Sequence, residues 1–221
     1  MKQYDYLAEH VLDTMILSDA ERINILYEDR WIGYQKAIAV LNTLTDILKR
    51  PRKLRPECLL IIGDSNMGKT KIIHEFAKEY YTKRVDDMDM QLMSLTKPVI
   101  PIQAPARANV KDLYINILDH FFVPFRVTDP ESKLRYQATH LLRKYETKML
   151  IIDELHNCLS GSARQRQEVM NTLKTLSNEL SMNIIGVGTR DASLILHTDT
   201  QYASRFEIID LPLWKFDADF L

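Results

Sequence analysis

Eight consecutive residues, Gly63-Asp64-Ser65-Asn66-Met67-Gly68-Lys69-Thr70, match the pattern G-x-x-x-x-G-K-[ST] of a phosphate-binding loop. The glycines allow a close backbone approach, so that successive N–H groups can point at phosphate oxygens. A helix that begins near Gly68 would add its positive N-terminal end. The chemistry expected of such a loop is the binding of ATP. Lys69 would reach the β- and γ-phosphates, and the Thr70 hydroxyl would coordinate Mg²⁺.

The loop stands between two segments that suit this function. The apolar run Cys58–Ile62 precedes it, and a helical pattern over Lys69–Tyr81 follows it. This strand–loop–helix order favours a phosphate site over the alternative, a glycine turn that carries a surface lysine.

A second apolar run, Met149–Ile152, ends in two carboxylates, Asp153 and Glu154. The end of such a strand lies at the carboxyl edge of the sheet, where open α/β folds bind ligands. Asp153 would hold Mg²⁺ through its water shell, and Glu154 would polarise the attacking water. An apolar run ending in Asp-Glu is a weak signal alone. At about ninety residues after a phosphate-binding loop it indicates an ATPase.

Thr189 follows a further apolar run, Asn183–Val187, at the position of a polar strand-end residue. It could orient the lytic water opposite Glu154. It could equally cap the helix predicted over Asp191–His197, and the two roles are compatible.

Arg205 lies just before the last apolar run, Phe206–Leu211. An arginine there can project from one subunit to the γ-phosphate held by the next, a contact that accelerates hydrolysis by ~10³-fold or more. Arg190 is the second candidate for this role. The alternative for Arg205 is a surface ion pair with Glu207 or Asp210.

Two other positions carry weaker signals. The aromatic-apolar turn Trp31-Ile32-Gly33-Tyr34, upstream of the loop, could pack on the adenine through Trp31 and Ile32 or could equally fill the core. His156 follows the acidic pair directly. We expect it to hydrogen-bond near the site rather than to bind a metal, because no other His, Cys or carboxylate completes a ligand spacing.

The elements that position these residues are short apolar runs alternating with helical patterns. Strands buried on both faces are continuously apolar, and their alternation with helices predicts a parallel sheet between helical layers. The fold class is therefore α/β, doubly wound. The predicted strands are Cys58–Ile62, Val99–Ile102, Met149–Ile152, Asn183–Val187 and Phe206–Leu211, and the helices between them are Lys69–Tyr81, Val110–Phe122, Ser132–Tyr145 and Arg164–Leu180.

Residues 1–56 are predicted to form an N-terminal helical segment, with Ser18 or Asp19 capping a helix over Ala20–Tyr27. An ATPase core follows over residues 57–214. The acidic, Met-rich stretch Val85–Leu95 is predicted to be a surface loop.

Composition places this chain of 221 residues among soluble globular proteins, with 46% hydrophobic and 27% charged residues. The two cysteines, Cys58 and Cys158, are expected to be buried thiols of a reduced, cytoplasmic protein. No apolar run approaches the ~20 residues that span a bilayer, so no membrane contact is expected. The net charge of −1 restricts nucleic-acid binding to local patches. The basic run Lys49–Arg55 is more simply a solvated linker.

Several phrases of the sequence resemble the AAA+ ATPases of transposition, the TniB/TnsC family, and the resemblance covers nearly the whole chain. Asp-Glu-Leu-His-Asn and Gly-Val-Gly-Thr-Arg-Asp-Ala are more specific than generic nucleotide-binding motifs. The matching pieces are Ala20-Glu21-Arg22-Ile23, Asp29-Arg30-Trp31-Ile32-Gly33-Tyr34, the phosphate-binding loop, Met149-Leu150-Ile151-Ile152-Asp153-Glu154-Leu155-His156-Asn157, Gly186-Val187-Gly188-Thr189-Arg190-Asp191-Ala192 and Arg205-Phe206-Glu207.

The resemblance implies an AAA+ P-loop domain that binds ATP and Mg²⁺ and oligomerises around duplex DNA as a ring or helical filament. Such proteins link a target selector to the transposase. A helicase or a replication-initiator loader with the same core is the alternative, and a degenerate ATPase that only binds is a third. Members of the family continue into a helical lid, of which residues 215–221 would be the truncated start.

The same resemblance implies that DNA is held through its backbone, without sequence preference. The expected contacts are cations outside the nucleotide pocket, on loops that would line the inner face of a ring. They are Arg107 and Lys111 first, then Arg126 and Lys133. The alternative is an ordinary charged surface.

Overall fold

The computed structural model describes residues 12–28, 31–86, 96–158, 160–197 and 204–213. The chain divides into two compact units, residues 1–32 and 33–221. The first contains a 3₁₀ turn at Asp13–Ile16 and helix α1 (Asp19–Leu26). Ser18 caps α1 in a capping box with Glu21, which satisfies backbone donors that the first turn leaves unpaired.

The second unit contains a five-stranded sheet in the order β2-β3-β4-β1-β5, and every adjacent pair of strands is parallel. All residues of β1 and β3 are buried, as expected for strands covered by helices on both faces. This confirms the predicted α/β fold, and each strand matches its predicted range to within one residue. The strands are β1 (Cys58–Gly63), β2 (Val99–Gln103), β3 (Met149–Asp153), β4 (Asn183–Gly188) and β5 (Phe206–Leu211).

Helices precede, connect and flank these strands. The helix after the phosphate-binding loop is longer than predicted, because it continues through Val85 and Asp86. The loop prediction is therefore wrong for these two residues, and residues 87–95 lie outside the described part of the chain. The helices are α2 (Gln35–Lys49), α3 (Lys69–Asp86), α4 (Val110–His120), α5 (Glu131–Lys144), α6 (Leu155–Cys158), α7 (Ala163–Leu180) and α8 (Arg190–His197).

Helix α2 buries one apolar face, formed by Ala37, Val40, Leu44 and Ile47, within the second unit. The sequence predicts an N-terminal segment that extends to residue 56 and includes α2, whereas the structure places α2 in the second unit. The difference arises because a 3.6-residue apolar period shows which face of a helix is buried but does not show against what.

Strand β2 is an edge strand. The carbonyl of Pro98 accepts from Met149, and the N–H of Ala104 donates to Asp153, so the even-numbered positions bond to β3. The backbone of Pro101 consequently faces away from β3, toward the outer side of the sheet. On the same outer side, the side-chain amide of Asn116 in α4 donates to the carbonyl of Gln103 at 2.8 Å.

Both cysteines are free and buried, as predicted. Burial raises the pKa of the Cys58 thiol. Burial also raises the pKa of the Cys158 thiol, to about 12, so this thiol stays protonated at neutral pH. Within the described ranges, no helix has both the length and the apolar character needed to cross a bilayer.

Candidate nucleotide-binding and hydrolysis site

The predicted phosphate-binding loop connects the end of β1 to the start of α3. Asn66 and Gly68 have left-handed backbones, with φ of 65° and 77°. Left-handed residues within a turn point neighbouring backbone N–H groups toward a common concavity. Such a concavity binds anions. Gly68 serves this turn because it adopts a positive φ without the strain that a side chain would add.

Lys69 is 8% exposed, and its ammonium group lies inside the loop. Nζ donates to the carbonyl oxygens of Gly63 at 2.9 Å and Asp64 at 2.6 Å. Both partners are neutral, so they solvate the ammonium without neutralising it. A buried cation with carbonyl partners is suited to an anionic ligand, because an incoming phosphate supplies the missing negative charge.

Thr70 and Asp153, the two predicted Mg²⁺ ligands, meet although they are 83 positions apart, since the Thr70 hydroxyl donates to Oδ2 of Asp153 at 2.7 Å. Asp153 is 8% exposed, and its Oδ1 accepts from the backbone N–H of Glu154 at 2.8 Å. A hydroxyl beside a carboxylate is the hard oxygen set that Mg²⁺ prefers, so these residues fit the ion.

Glu154 has a left-handed backbone, with φ of 55°, although it is not a glycine. Such conformations are strained and concentrate at functional sites. Its carboxylate is 37% exposed, and Oε2 lies 3.1 Å from Nδ1 of His156. An exposed carboxylate beside the Mg²⁺ ligands can reach a water molecule, as the predicted role requires.

Thr189 follows β4, which is the neighbour of β3, so it lies at the same edge of the sheet as Glu154. Its carbonyl accepts from Ala192, and α8 begins at the next residue. The two predicted roles of Thr189, water orientation and helix start, are thus compatible in this structure.

Helix α6 packs directly on β4 through a glycine. A Cβ at Gly186 would lie 2.3 Å from Cδ2 of Leu155 and 3.2 Å from Cδ1 of Leu60. Leu155 is fully buried, so it has little room to move. The absence of a side chain at Gly186 therefore sets the position of the segment that follows the two carboxylates.

Arg190 links the phosphate-binding loop to the last strand within one chain. Its Nε lies 3.4 Å from Oδ1 of Asp64, and one of its terminal nitrogens lies 2.9 Å from Oδ2 of Asp210. The sheet brings these residues together, because Arg190 follows β4 and Asp210 lies on β5, and both strands pair with β1.

Arg205 does not pair with Glu207 or Asp210. Its two terminal nitrogens each lie 3.4 Å from Oδ1 of Asn178 in α7. These are long hydrogen bonds to a neutral group, which a stronger anionic partner could replace.

Tyr34, the last residue of the aromatic turn expected near the adenine, contacts the phosphate-binding loop, a contact that the sequence did not predict. Its hydroxyl donates to the carbonyl of Met67 at 3.2 Å, and burial raises its pKa. Trp31 is half-buried and Ile32 is 72% exposed, both in the first unit. Their contact with the adenine stays a prediction.

An open groove of about 400 Å³ extends from Thr70 and Asp153 between α3 and the edge strand β2. The side of the site that holds the predicted Mg²⁺ ligands is therefore accessible. The other lining residues are Ile73, His74, Ala77, Lys78, Pro101, Ile102 and Gln103.

The four predicted DNA contacts lie on two segments. Arg107 is exposed on the loop after β2, and Lys111 is half-buried in the first turn of α4. Arg126 is exposed before α5, whereas Lys133 in α5 already pairs with Asp129 at 2.9 Å. The first pair is thus the better candidate for phosphate contacts.

The basic run Lys49–Arg55 is held mostly by partners within the chain. Arg50 and Lys53 each lie 2.6 Å from the carboxylate of Glu57. The hydrogen bonds from Lys53 and Arg50 lower the pKa of Glu57. Arg52 donates to the carbonyls of Leu180 and Glu146, at the C-terminal ends of α7 and α5.

The family model described as bacterial TniB protein matches residues 22–216. No curated protein matches the chain significantly. Among solved structures, the chain is similar to the ORC2 protein of Aeropyrum pernix in ADPNP–ADP complexes, with 18% identity and a TM-score of 0.61 over 85% of this chain and 51% of that one. The ORC1 protein of the same organism in complex with DNA has 14% identity and a TM-score of 0.60, covering 85% and 47%. Cdc6p of Pyrobaculum aerophilum has 16% identity and a TM-score of 0.58, covering 88% and 49%.

These likenesses, together with the strand order and the loop, show an α/β AAA+ P-loop fold. The chain spans about half the length of the solved structures that it matches.

Proposed function

Since the chain belongs to the family of bacterial TniB proteins, we propose that it is an ATP-dependent regulator of DNA transposition. It oligomerises on duplex DNA and links a target selector to the transposase, and ATP hydrolysis drives disassembly. The observation that carries the ATPase part is the meeting of a loop lysine, a hydroxyl and two carboxylates at one edge of the sheet.

In the proposed reaction, the carbonyls of Gly63 and Asp64 release Nζ of Lys69 to the β- and γ-phosphates. Thr70 and Asp153 would hold Mg²⁺, and the bound ion would offset the charge on the phosphate oxygens. Glu154 takes a proton from water as the water oxygen bonds to the γ-phosphorus. The bond from that phosphorus to the β–γ bridging oxygen breaks, and ADP and inorganic phosphate are formed. Thr189 orients the water.

Hydrolysis is proposed to require a neighbouring subunit, because Lys69, Thr70 and Asp153 come from one edge of the sheet and would leave the outer side of the γ-phosphate open. Arg205 is the proposed cation in trans, since its long hydrogen bonds to Asn178 are replaceable. Arg190 is the weaker candidate, because it is already paired with two carboxylates of its own chain. The rate should therefore be low in the monomer and rise on assembly.

Mixed assemblies test this role. A Lys69→Ala subunit should bind ATP too weakly to hydrolyse it but keeps Arg205. An Arg205→Ala subunit should bind ATP but lacks the arginine that acts in trans. Mixing them should restore part of the hydrolysis that each lacks alone. If the two proteins co-assemble and no ratio restores activity, Arg205 does not act in trans.

DNA binding is proposed to use Arg107 and Lys111 on phosphates. Replacing both with alanine should weaken binding on every duplex sequence and reduce the slope of log K against log [salt] by about 2, one contact for each cation. The matched control is Arg126→Ala with Lys133→Ala, where a smaller effect is expected because Lys133 is paired. An unchanged slope for the first pair would place the contacts elsewhere.

Electron microscopy of the Glu154→Gln variant with ATP, Mg²⁺ and duplex DNA tests the function as a whole. Because hydrolysis should be slower by ~10²-fold or more, the variant should accumulate rings or helical filaments on DNA, and the parent should lose them as ATP is consumed. Particles that remain monomeric under these conditions would contradict the proposal. Strand separation of the duplex would instead favour a helicase.

A further inference from the structure

His156 occupies a confined position between the glutamate and the neighbouring strand. Its Nδ1 is buried and forms no hydrogen bond of good geometry with the described residues, yet Oε2 of Glu154 lies only 3.1 Å away. A buried polar nitrogen without a hydrogen-bond partner is energetically unfavourable, so its presence here indicates a functional role. The reaction derived above does not employ it.

The backbone explains why this ring lies beside this carboxylate. The left-handed φ of Glu154 reverses the chain after β3, and α6 then begins at Leu155. Leu155 is held under Gly186, so the start of α6 is fixed. The side chain of His156 is therefore carried to the Glu154 carboxylate, with its Nδ1 buried and 28% of the side chain exposed.

Strand β4 closes the other side of the ring. A Cβ at Gly188 would lie 3.4 Å from both N and Nδ1 of His156, so the imidazole contacts the strand end that leads to Thr189. The ring has little room to move away from Glu154. The terminal torsion of a glutamate is soft, so its carboxylate can turn by the small angle that completes a hydrogen bond from Nδ1.

We propose that His156 is a positioning residue for Glu154, in which Nδ1–H donates to Oε2 and leaves Oε1 to take the proton of the attacking water. The inference rests on the proposed function, since it assumes that Glu154 activates water.

Replacing His156 with residues that differ in the position of their donor tests this role. The amide nitrogen of asparagine can take the place of Nδ1, whereas that of glutamine extends toward the position of Nε2, and leucine has no donor. His156→Leu and His156→Gln should lower kcat by roughly tenfold or more with Mg²⁺ and duplex DNA, the scale expected when an outer hydrogen-bond partner is lost. His156→Asn should stay within about threefold of the parent. The Kd for ATP and the melting temperature should change little in all three.

A double-mutant cycle separates positioning from a general structural role. In the Glu154→Gln background, His156→Leu should cause no further loss of kcat, because the group that it positions is gone. Equal losses in both backgrounds, or equal kcat for the asparagine and leucine variants, would overturn the proposal.

The nucleotide-free protein provides a readout independent of activity. A long-range ¹H–¹⁵N NMR spectrum shows which imidazole nitrogen carries a proton, and the signal that disappears in His156→Asn belongs to His156. A proton on Nδ1 is expected, and a bare Nδ1 would overturn the proposal. If Glu154→Gln hydrolyses ATP as fast as the parent, the proposed function fails. If that variant is slow and His156→Leu is not, only the present inference fails.

Discussion

The carboxyl and amino edges of the parallel sheet carry similar charged residues, but these residues have different roles at the two edges. At the carboxyl edge, Lys69 is buried and held by carbonyls of its own loop, and Thr70 is held by Asp153. At the amino edge, Arg52 binds the C-terminal carbonyls of two helices, and Glu57 holds two further cations. The first set of partners can be exchanged for a phosphate and a metal ion. The second set fixes the chain.

This difference shows that charge density does not identify a ligand site. Five cations lie within the seven residues Lys49–Arg55, yet the structure gives three of them carboxylate or helix-end partners. Lys69 is one cation, but it is 8% exposed with neutral partners. What distinguishes the candidate site is a buried ammonium group whose hydrogen bonds to the described residues go to neutral carbonyls.

The largest expected effect concerns nucleotide affinity and separates the two edges directly. Lys69→Ala should weaken ATP binding by ~100-fold or more, because a buried charge-assisted contact with the phosphates is lost. Arg52→Ala, the matched cation at the opposite edge, should leave the affinity unchanged. Calorimetric titration with ATP and Mg²⁺ measures both. Equal affinities for the Lys69→Ala variant and the parent would show that the loop does not bind phosphate in this way.

The second prediction concerns packing at the carboxyl edge. Gly186→Ala should lower the free energy of unfolding by about 1–3 kcal/mol, because the new methyl group overlaps the buried side chain of Leu155. Gly188→Ala is the control, since its Cβ would lie 3.4 Å or more from its neighbours and should cost less. Denaturant unfolding compares the two. If Gly186→Ala is the milder change, close packing does not set the position of α6.

The third prediction moves to the amino edge. Arg52→Ala should lower the free energy of unfolding by about 1 kcal/mol, because two helix-end carbonyls lose a charged donor on a largely exposed side chain. Arg55→Ala, an exposed neighbour in the same run, should change it by less than about 0.5 kcal/mol. Similar values for the two variants would mean that the Arg52 hydrogen bonds add nothing to stability.

The smallest effect is expected for the link between the loop and the last strand. Arg190 and Asp210 are each about half exposed, so solvent screens their ion pair. A double-mutant cycle with Arg190→Ala and Asp210→Ala should give a coupling energy below about 1 kcal/mol that decreases with added salt. A larger coupling, insensitive to salt, would show that this surface pair behaves like the buried groups of the site.

The sequence was sufficient for the features that depend on local pattern. Short apolar runs predicted four of the strands, and a mixed run predicted the fifth, β5. The loop motif placed Lys69 and Thr70 at the start of a helix. Contacts between distant segments were not predictable in the same way. Nothing in the sequence near Arg52 indicates that Leu180 and Glu146 are its partners, and nothing near Gly186 indicates that Leu155 lies against it. Such contacts depend on how the helices and strands pack together after they form. No short pattern in a single sequence specifies this packing.

The outer side of β2 has a consequence for how copies of this chain can join. An exposed edge strand is a template onto which another chain can add a strand, and this is a common start of uncontrolled aggregation. Pro101 offers no N–H on that side, and the carbonyl of Gln103 is already taken by Asn116. A strand added at this edge would therefore lack a hydrogen-bond donor at Pro101 and would compete with Asn116 for the carbonyl of Gln103. Copies of this chain are therefore less able to join by pairing their sheets at this edge, which favours contacts between side chains instead.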